Sequence, residues 1–380
     1  MNATSQALHQ FDAIRGSRNA KALHSRSIRS TETHAHQQGS ETLRTCLSSL
    51  LVCVTVAVTA CGGGPQPAET RSPSVDLCAD KLPPVPAGPT NGKLVSSINQ
   101  GRILMAIESA GAGTIALAYI DAGGLHVVPM AHDGTLAHPA WAPDGTIVFD
   151  SERAGGRHLF RIATNGSGLT QVTKEAGSGE QDVSFSRDGG RIAYEHYSCV
   201  EERDFGIQVA AADGSNPVAL NQPFPLNSVA GEGDAAFSPD GKSVAFVRSV
   251  DESHGAVWVV PAGGGEARRL TSDDVGAAYP RWSPDGTQIL FAGRWSAGVE
   301  DRALWVVPSA GGDLRRMFKH EATPWEVEGD WSPDGSEIVF TVYLPGWDHK
   351  ELRLAASDGT HERTLWVGNQ STAETPHWGP

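Results

Sequence analysis

From about residue 93 onward the chain is a series of short apolar runs cut by polar, turn-forming residues. Runs such as Ile103–Ile107, Ile115–Ile120 and Leu125–Met130 are strand-length, and so are Thr146–Phe149, Arg191–Tyr194, Ser243–Phe246, Gln288–Phe291 and Glu337–Phe340. Each of the last five is followed by another β-rich run: Leu159–Ala163, Ile207–Ala211, Val257–Pro261, Leu304–Pro308 and Leu352–Ala356. A Gly-containing turn and a shorter run come next, as at Ala267–Leu270 and Leu314–Phe318. Runs this short, separated by Gly, Pro and Asp, predict strands joined by tight hairpins.

The pattern repeats. Trp141-Ala142-Pro143-Asp144-Gly145, Phe185-Ser186-Arg187-Asp188-Gly189, Phe237-Ser238-Pro239-Asp240-Gly241, Trp282-Ser283-Pro284-Asp285-Gly286 and Trp331-Ser332-Pro333-Asp334-Gly335 share one plan. Pro presets φ at the turn, Asp caps it through its side chain, and Gly takes the φ > 0 position. A sixth aromatic, Trp378, closes the chain in Pro376-His377-Trp378-Gly379-Pro380, and successive aromatics lie 44, 52, 45, 49 and 47 residues apart. Four short strands in about 45 residues make one propeller blade. The segment from about Lys93 to Leu136 has the length of a blade without the motif. If the terminal Trp378 strand pairs with it, the ring closes without an open sheet edge. The expected fold is therefore all-β: a six-bladed β-propeller with four-stranded antiparallel blades over residues 93–380, closed by its C-terminal strand. The repeat aromatics are read as core between blades.

This repeat, together with the terminal Pro-x-Trp-x-Pro, resembles the propeller domain of the TolB family and related WD-type repeats. The resemblance spans roughly residues 93–380 and implies the fold. TolB also carries an α/β domain before its propeller; residues 62–92 are too short and too Pro-rich to form one, which argues against the role of that domain here.

The N-terminal part changes the picture of where the protein resides. Cys46–Ala60 is an uncharged, mostly apolar run preceded by Arg44. It is shorter than the ~20 residues that span a bilayer and has the length of a signal-peptide core. It ends in Val58-Thr59-Ala60-Cys61 followed by three glycines. That ending resembles the bacterial lipobox, which implies acylation of Cys61. An ordinary signal peptide or a short membrane anchor is the alternative. Residues 1–60 are read as the leader and 61–92, rich in Pro and Gly, as a flexible tether. The expected location is the bacterial cell envelope, outer membrane facing the periplasm or the cell surface, with the lipid anchor as the sole membrane contact. In that oxidising compartment Cys78 and Cys199 are candidates for a disulfide, with two free thiols as the alternative.

Charge removes one class of partner. The formal net charge is −14; the first 60 residues hold six basic and three acidic residues, leaving 24 basic against 41 acidic in the rest. Such a surface repels phosphate backbones, so nucleic acid is not an expected partner.

Chemistry is sparse. No Gly-x-Ser-x-Gly elbow, phosphate-binding Gly-rich loop or compact zinc motif occurs after residue 60. The repeat geometry offers two candidate sites. Residues three before each aromatic should approach one mouth of the central channel; these are His138, Asp182, Asp234, Tyr279, Glu328 and Thr375. They suit a cation or a basic group; the alternative is that they line a wet channel and cap strand ends. Trp295, Trp325 and Trp347 belong to loops on the same face, either as a sugar- or peptide-binding platform or folded back onto their own blades. The expected function is a non-enzymatic, monomeric binding scaffold for a protein, peptide or glycan, without a cofactor. The runner-up is a carbohydrate-active lyase using a divalent cation at the channel mouth.

Overall fold

The computed structural model describes residues 92–380 apart from 110–113, 131–134, 199–202, 221–230, 252, 295–301, 319–324, 345–349 and 369–370. The leader, the tether up to residue 91, Cys61, Cys78, Cys199, Trp295 and Trp347 lie outside the described residues.

The described chain forms six antiparallel sheets arranged as the blades of a propeller. The innermost strands of blades 2 to 6 are Ala137–Trp141, Ser178–Phe185, Gly231–Phe237, Ala278–Trp282 and Trp325–Trp331. In each of these blades the second, third and fourth strands follow in chain order. Blade 1 is assembled from both ends of the domain. Ser371–Gly379 is its innermost strand, and Arg102–Ser109, Thr114–Asp121 and Gly124–Val127 follow outward. The first apolar run is thus a second strand, paired Ile103 to Trp378 and Leu104 to His377. Closure falls where the repeat predicts it.

One strand goes beyond the expected plan. Gly92–Leu94 adds a fifth, outermost strand to blade 6, with Gly92 opposite Gly368 and Leu94 opposite Trp366. Gly92 is required there, because a Cβ would stand 1.9 Å from the Trp366 indole. The last segment before the propeller is therefore tied to the outer edge of blade 6.

The turn motif works as its residues dictate. In blade 5 the Ser283 hydroxyl donates to Asp285 Oδ1 at 2.6 Å, and the same oxygen accepts the Thr287 N–H at 3.0 Å. Gly286 sits at φ 74° and its N–H donates to the Ser283 carbonyl. The motif also joins blades. A Cβ on Gly335 would lie 3.5 Å from Pro284 of the preceding blade, and Gly189 and Gly286 face Pro143 and Pro239 likewise.

The core lies between blades. Trp141, Trp331 and Trp378 are buried, and the indole N–H groups of Trp141, Trp282, Trp331 and Trp378 donate to carbonyls of Arg102, Ala236, Arg281 and Gln100. A second layer of buried Phe149, Phe246, Phe291 and Phe340 fills the adjacent positions on the second strands. The four repeat indoles thus pack on apolar neighbours while their N–H groups stay satisfied.

Candidate functional site

The innermost strands share a defect that sets the site. Each is bulged against its second strand: between Ala137 and Ala140, Gln181 and Ser184, Gly233 and Ala236, Ala278 and Arg281, Val327 and Gly329, and Glu374 and His377. At every bulge one residue adopts the left-handed backbone conformation. These residues are His138, Asp182, Asp234, Tyr279, Glu328 and Thr375, with φ between 43° and 56°. They are the six sequence-predicted channel-mouth residues, one per blade. A non-Gly residue there costs of order 1–3 kcal/mol, and Gly or Asn would be the cheapest choice. None of the six is either.

The bulge leaves a backbone N–H without a ladder partner, and the neighbouring blade supplies one. Asp234 Oδ2 accepts from the Tyr279 N–H at 3.0 Å, and Glu328 Oε2 from the Thr375 N–H at 2.7 Å. Two residues after the bulge, three of the innermost strands make a second stitch. Ser184 Oγ accepts from the Phe237 N–H at 3.0 Å, Asp330 Oδ2 from the Trp378 N–H at 2.7 Å, and His377 Nδ1 from the Trp141 N–H at 3.0 Å. Part of the polar ring therefore holds the innermost strands of adjacent blades together.

Electrostatics separates the members of the ring. His138 Nδ1 lies 2.8 Å from Asp150 Oδ1, and its Nε2 is 3.7 Å from Asp182 Oδ1. Asp150 is fully buried on the second strand of blade 2 and is ion-paired to Arg157. Burial opposes the charge on His138, but Asp182 and Asp150 outweigh it and raise its pKa to about 10. His138 is an imidazolium at neutral pH. Asp182 is pushed the other way, to about 6, by burial and by its neighbours Asp234 and Asp150, against the attraction of His138. His377 has its pKa lowered by burial, with Arg281 adding to the effect and Asp330 opposing it. Its Nδ1 accepts a hydrogen bond, so its ring is neutral. The two histidines thus hold different charge states, and the carboxylates outnumber the cationic groups around them.

Asp150, Arg157, Arg281, Asp330 and His377 were not among the residues singled out from sequence. The last three share one signal: each immediately precedes a repeat aromatic, two positions after a bulge residue. Trp325 is the first residue of the innermost strand of blade 6, half-buried opposite Tyr343. The other two tryptophans of the expected platform lie outside the described residues.

Comparison with known proteins agrees with the fold. Residues 225–380 match the family model of the TolB beta propeller domain, the stretch that holds blades 4 to 6 and the closing strand. The fold is a TolB-like β-propeller. It superposes on TolB from Acinetobacter baumannii with a TM-score of 0.59 at 18% identity, over 74% of this chain and 67% of that one. An uncharacterized protein of Agrobacterium fabrum is 26% identical over 267 residues, 64% of this chain and 80% of its own length. An uncharacterized peptidase of Bacillus subtilis, YuxL, is 30% identical over 128 residues. The TolB-like chain covers 32% of its own length in that match and spans only 18% of the peptidase.

Proposed function

We propose that this TolB-like propeller is a non-enzymatic binding scaffold, lipid-anchored in the bacterial envelope through Cys61. Its partner is a protein or peptide that places a basic group at the channel mouth. One observation carries the reading. The six bulge positions share a backbone for which Gly is cheapest, yet all carry polar or ionisable side chains. Among the described residues Asp182 accepts no backbone stitch, and its one ion-pair partner is His138. A carboxylate whose burial is incompletely compensated gains most from an incoming cation.

Asp182→Asn is the informative variant. Its removal of a disfavoured charge should leave the melting temperature at pH 7 unchanged or higher, because a raised pKa means the fold prefers the neutral form. Binding should suffer. In fluorescence anisotropy with matched basic, neutral and acidic peptides, the parent is expected to prefer the basic one, and Asp182→Asn to weaken that binding about tenfold or more. Equal affinity for all three peptides, or equal binding by parent and variant, would sink the proposal. A sugar-array signal with no peptide preference would move the ligand class to glycans.

Anchoring has its own test. Cys61→Ala is expected to release the protein into the soluble fraction or to leave it unprocessed. Unchanged membrane association together with an unchanged mature mass would rule out the lipid anchor.

A further inference from the structure

Away from the channel ring, three strands and one loop of blades 2 and 3 bring together a second set of ionisable groups. Glu180 is the third residue of the innermost strand of blade 3, and His196, on the second strand, is its direct cross-strand partner. Glu175 is exposed in the loop just before that strand. His158 opens the third strand of blade 2. Inner-strand starts, second-strand ends and third-strand starts all lie on one face in an antiparallel blade, so the cluster shares the face of the loops that join second to third strands.

We propose that Glu175, Glu180 and His196 form a binding site for a divalent transition-metal ion of the zinc class. One ligand atom from each lies within 4.8 Å of the other two. Tetrahedral coordination at about 2.0–2.2 Å per ligand separates ligand atoms by roughly 3.3–3.6 Å. His196 Nδ1 and Glu180 Oε1 stand 3.3 Å apart, already at that spacing. Glu175, on its exposed loop, is the ligand that closes in.

Three further features fit an ion. First, His196 Nδ1 is buried and makes no hydrogen bond, although it faces a carboxylate oxygen. A nitrogen lone pair directed at an oxygen is unfavourable until a cation or a proton lies between them. Second, Glu180 is oriented from behind. His158 Nδ1 lies 2.7 Å from Oε2 and the Ser178 hydroxyl donates to Oε1 at 2.6 Å. Outer partners of this kind fix ligand direction in metal sites. Third, among the described residues neither Glu175 nor Glu180 is paired with Lys or Arg, so a cation would meet two carboxylates without displacing one. An imidazole with two carboxylates selects zinc or manganese over calcium, which prefers an all-oxygen shell. Three protein ligands leave a further position open on the exposed side of Glu175, the arrangement of sites that bind a water or an external ligand.

This inference is independent of the basic-group reading of the channel mouth, and the two can fail separately. The test uses the full chain, stripped with chelator and with its five cysteines alkylated so that thiolates cannot bind zinc. Zinc titration by calorimetry and manganese binding by EPR are compared for parent, Glu175→Gln and His196→Gln. Each variant is expected to weaken zinc binding at least tenfold and to lose one bound equivalent at micromolar metal, with manganese following the same order. Histidines of the leader are common to all three proteins and cancel in the comparison. Melting curves in chelator report folding. Glu175 is exposed, so Glu175→Gln keeps the test decisive even if His196→Gln unfolds. Zinc stoichiometry and affinity unchanged in Glu175→Gln and in any folded His196 variant would overturn the site.

Discussion

Deletion of residues 371–380 is expected to abolish cooperative unfolding of the propeller, and Trp378→Ala alone to lower its melting temperature by roughly 6–20 °C. The strand Ser371–Gly379 is the innermost member of blade 1, so its loss bares the edge of Arg102–Ser109 and the inner faces of two neighbouring blades. Trp378 is 5% exposed and packs in one cluster with Ile103, Met105 and Ile120 of blade 1 and Leu352 and Leu354 of blade 6. Truncating such a Trp typically costs about 3–5 kcal/mol, a large share of the ~5–15 kcal/mol that a domain has. The deletion removes more than this one side chain. The Trp378 N–H no longer reaches Asp330, the Thr375 N–H no longer reaches Glu328, and His377 no longer accepts from Trp141. Lys350 loses its ion pair with Glu374. Blades 6, 1 and 2 are therefore unlinked together, and the exposed strand edge should promote association. Calorimetry and size-exclusion chromatography check both effects. A truncated protein that melts like the parent and elutes with the parent's oligomeric state would show that the ring does not depend on its closing strand.

The closure was legible because every part of it is periodic. Pro, Asp and Gly must recur wherever the same hairpin recurs, and the terminal Pro376–Trp378 reads as the start of a unit whose remaining strands lie elsewhere. The six bulge positions were legible for the same reason: a constant offset from the aromatic picks out one residue per innermost strand. The left-handed backbone was not legible, since His138, Asp182, Asp234, Tyr279, Glu328 and Thr375 include no Gly or Asn to announce it. The fifth strand of blade 6 was missed because Gly92–Leu94 has three residues and finds its partner at Arg363–Gly368, far along the chain. Local pattern carries no information on such a pairing. Asp150 and Arg157 escaped for a different reason. They stand on and just before strands of one blade, and only the folded register turns them toward His138. Glu180, His158 and His196 come from three strands of two blades, at spacings that match no metal motif.

Asp150→Ala should destabilise the propeller by about 3–5 kcal/mol, because it removes a fully buried carboxylate and leaves two half-buried cations without their shared partner. Asp150 has no exposed surface, and its oxygens are divided between His138 Nδ1 and Arg157 Nη1. Its pKa stays lowered despite burial because those two cations face it. The same charges set a pH dependence whose sign follows from His138. Asp150, Asp182 and Arg157 are the charged groups facing its ring, and the net effect raises its pKa from 6.5 to about 10. A group that holds its proton more tightly when folded adds stability that is complete below about pH 6.5. That stability is lost as the pH rises through about 10. The melting temperature of the parent should therefore fall between these limits. In His138→Gln, which cannot be an imidazolium, that part of the slope should vanish, whatever lysines and tyrosines elsewhere contribute to both proteins. Melting curves at intervals from pH 6 to 10.5, taken as the difference between parent and variant, isolate the effect. Parallel curves would mean that His138 is not charged in the folded protein. Asp150 would then balance Arg157 alone, and Asp182 would face a neutral ring.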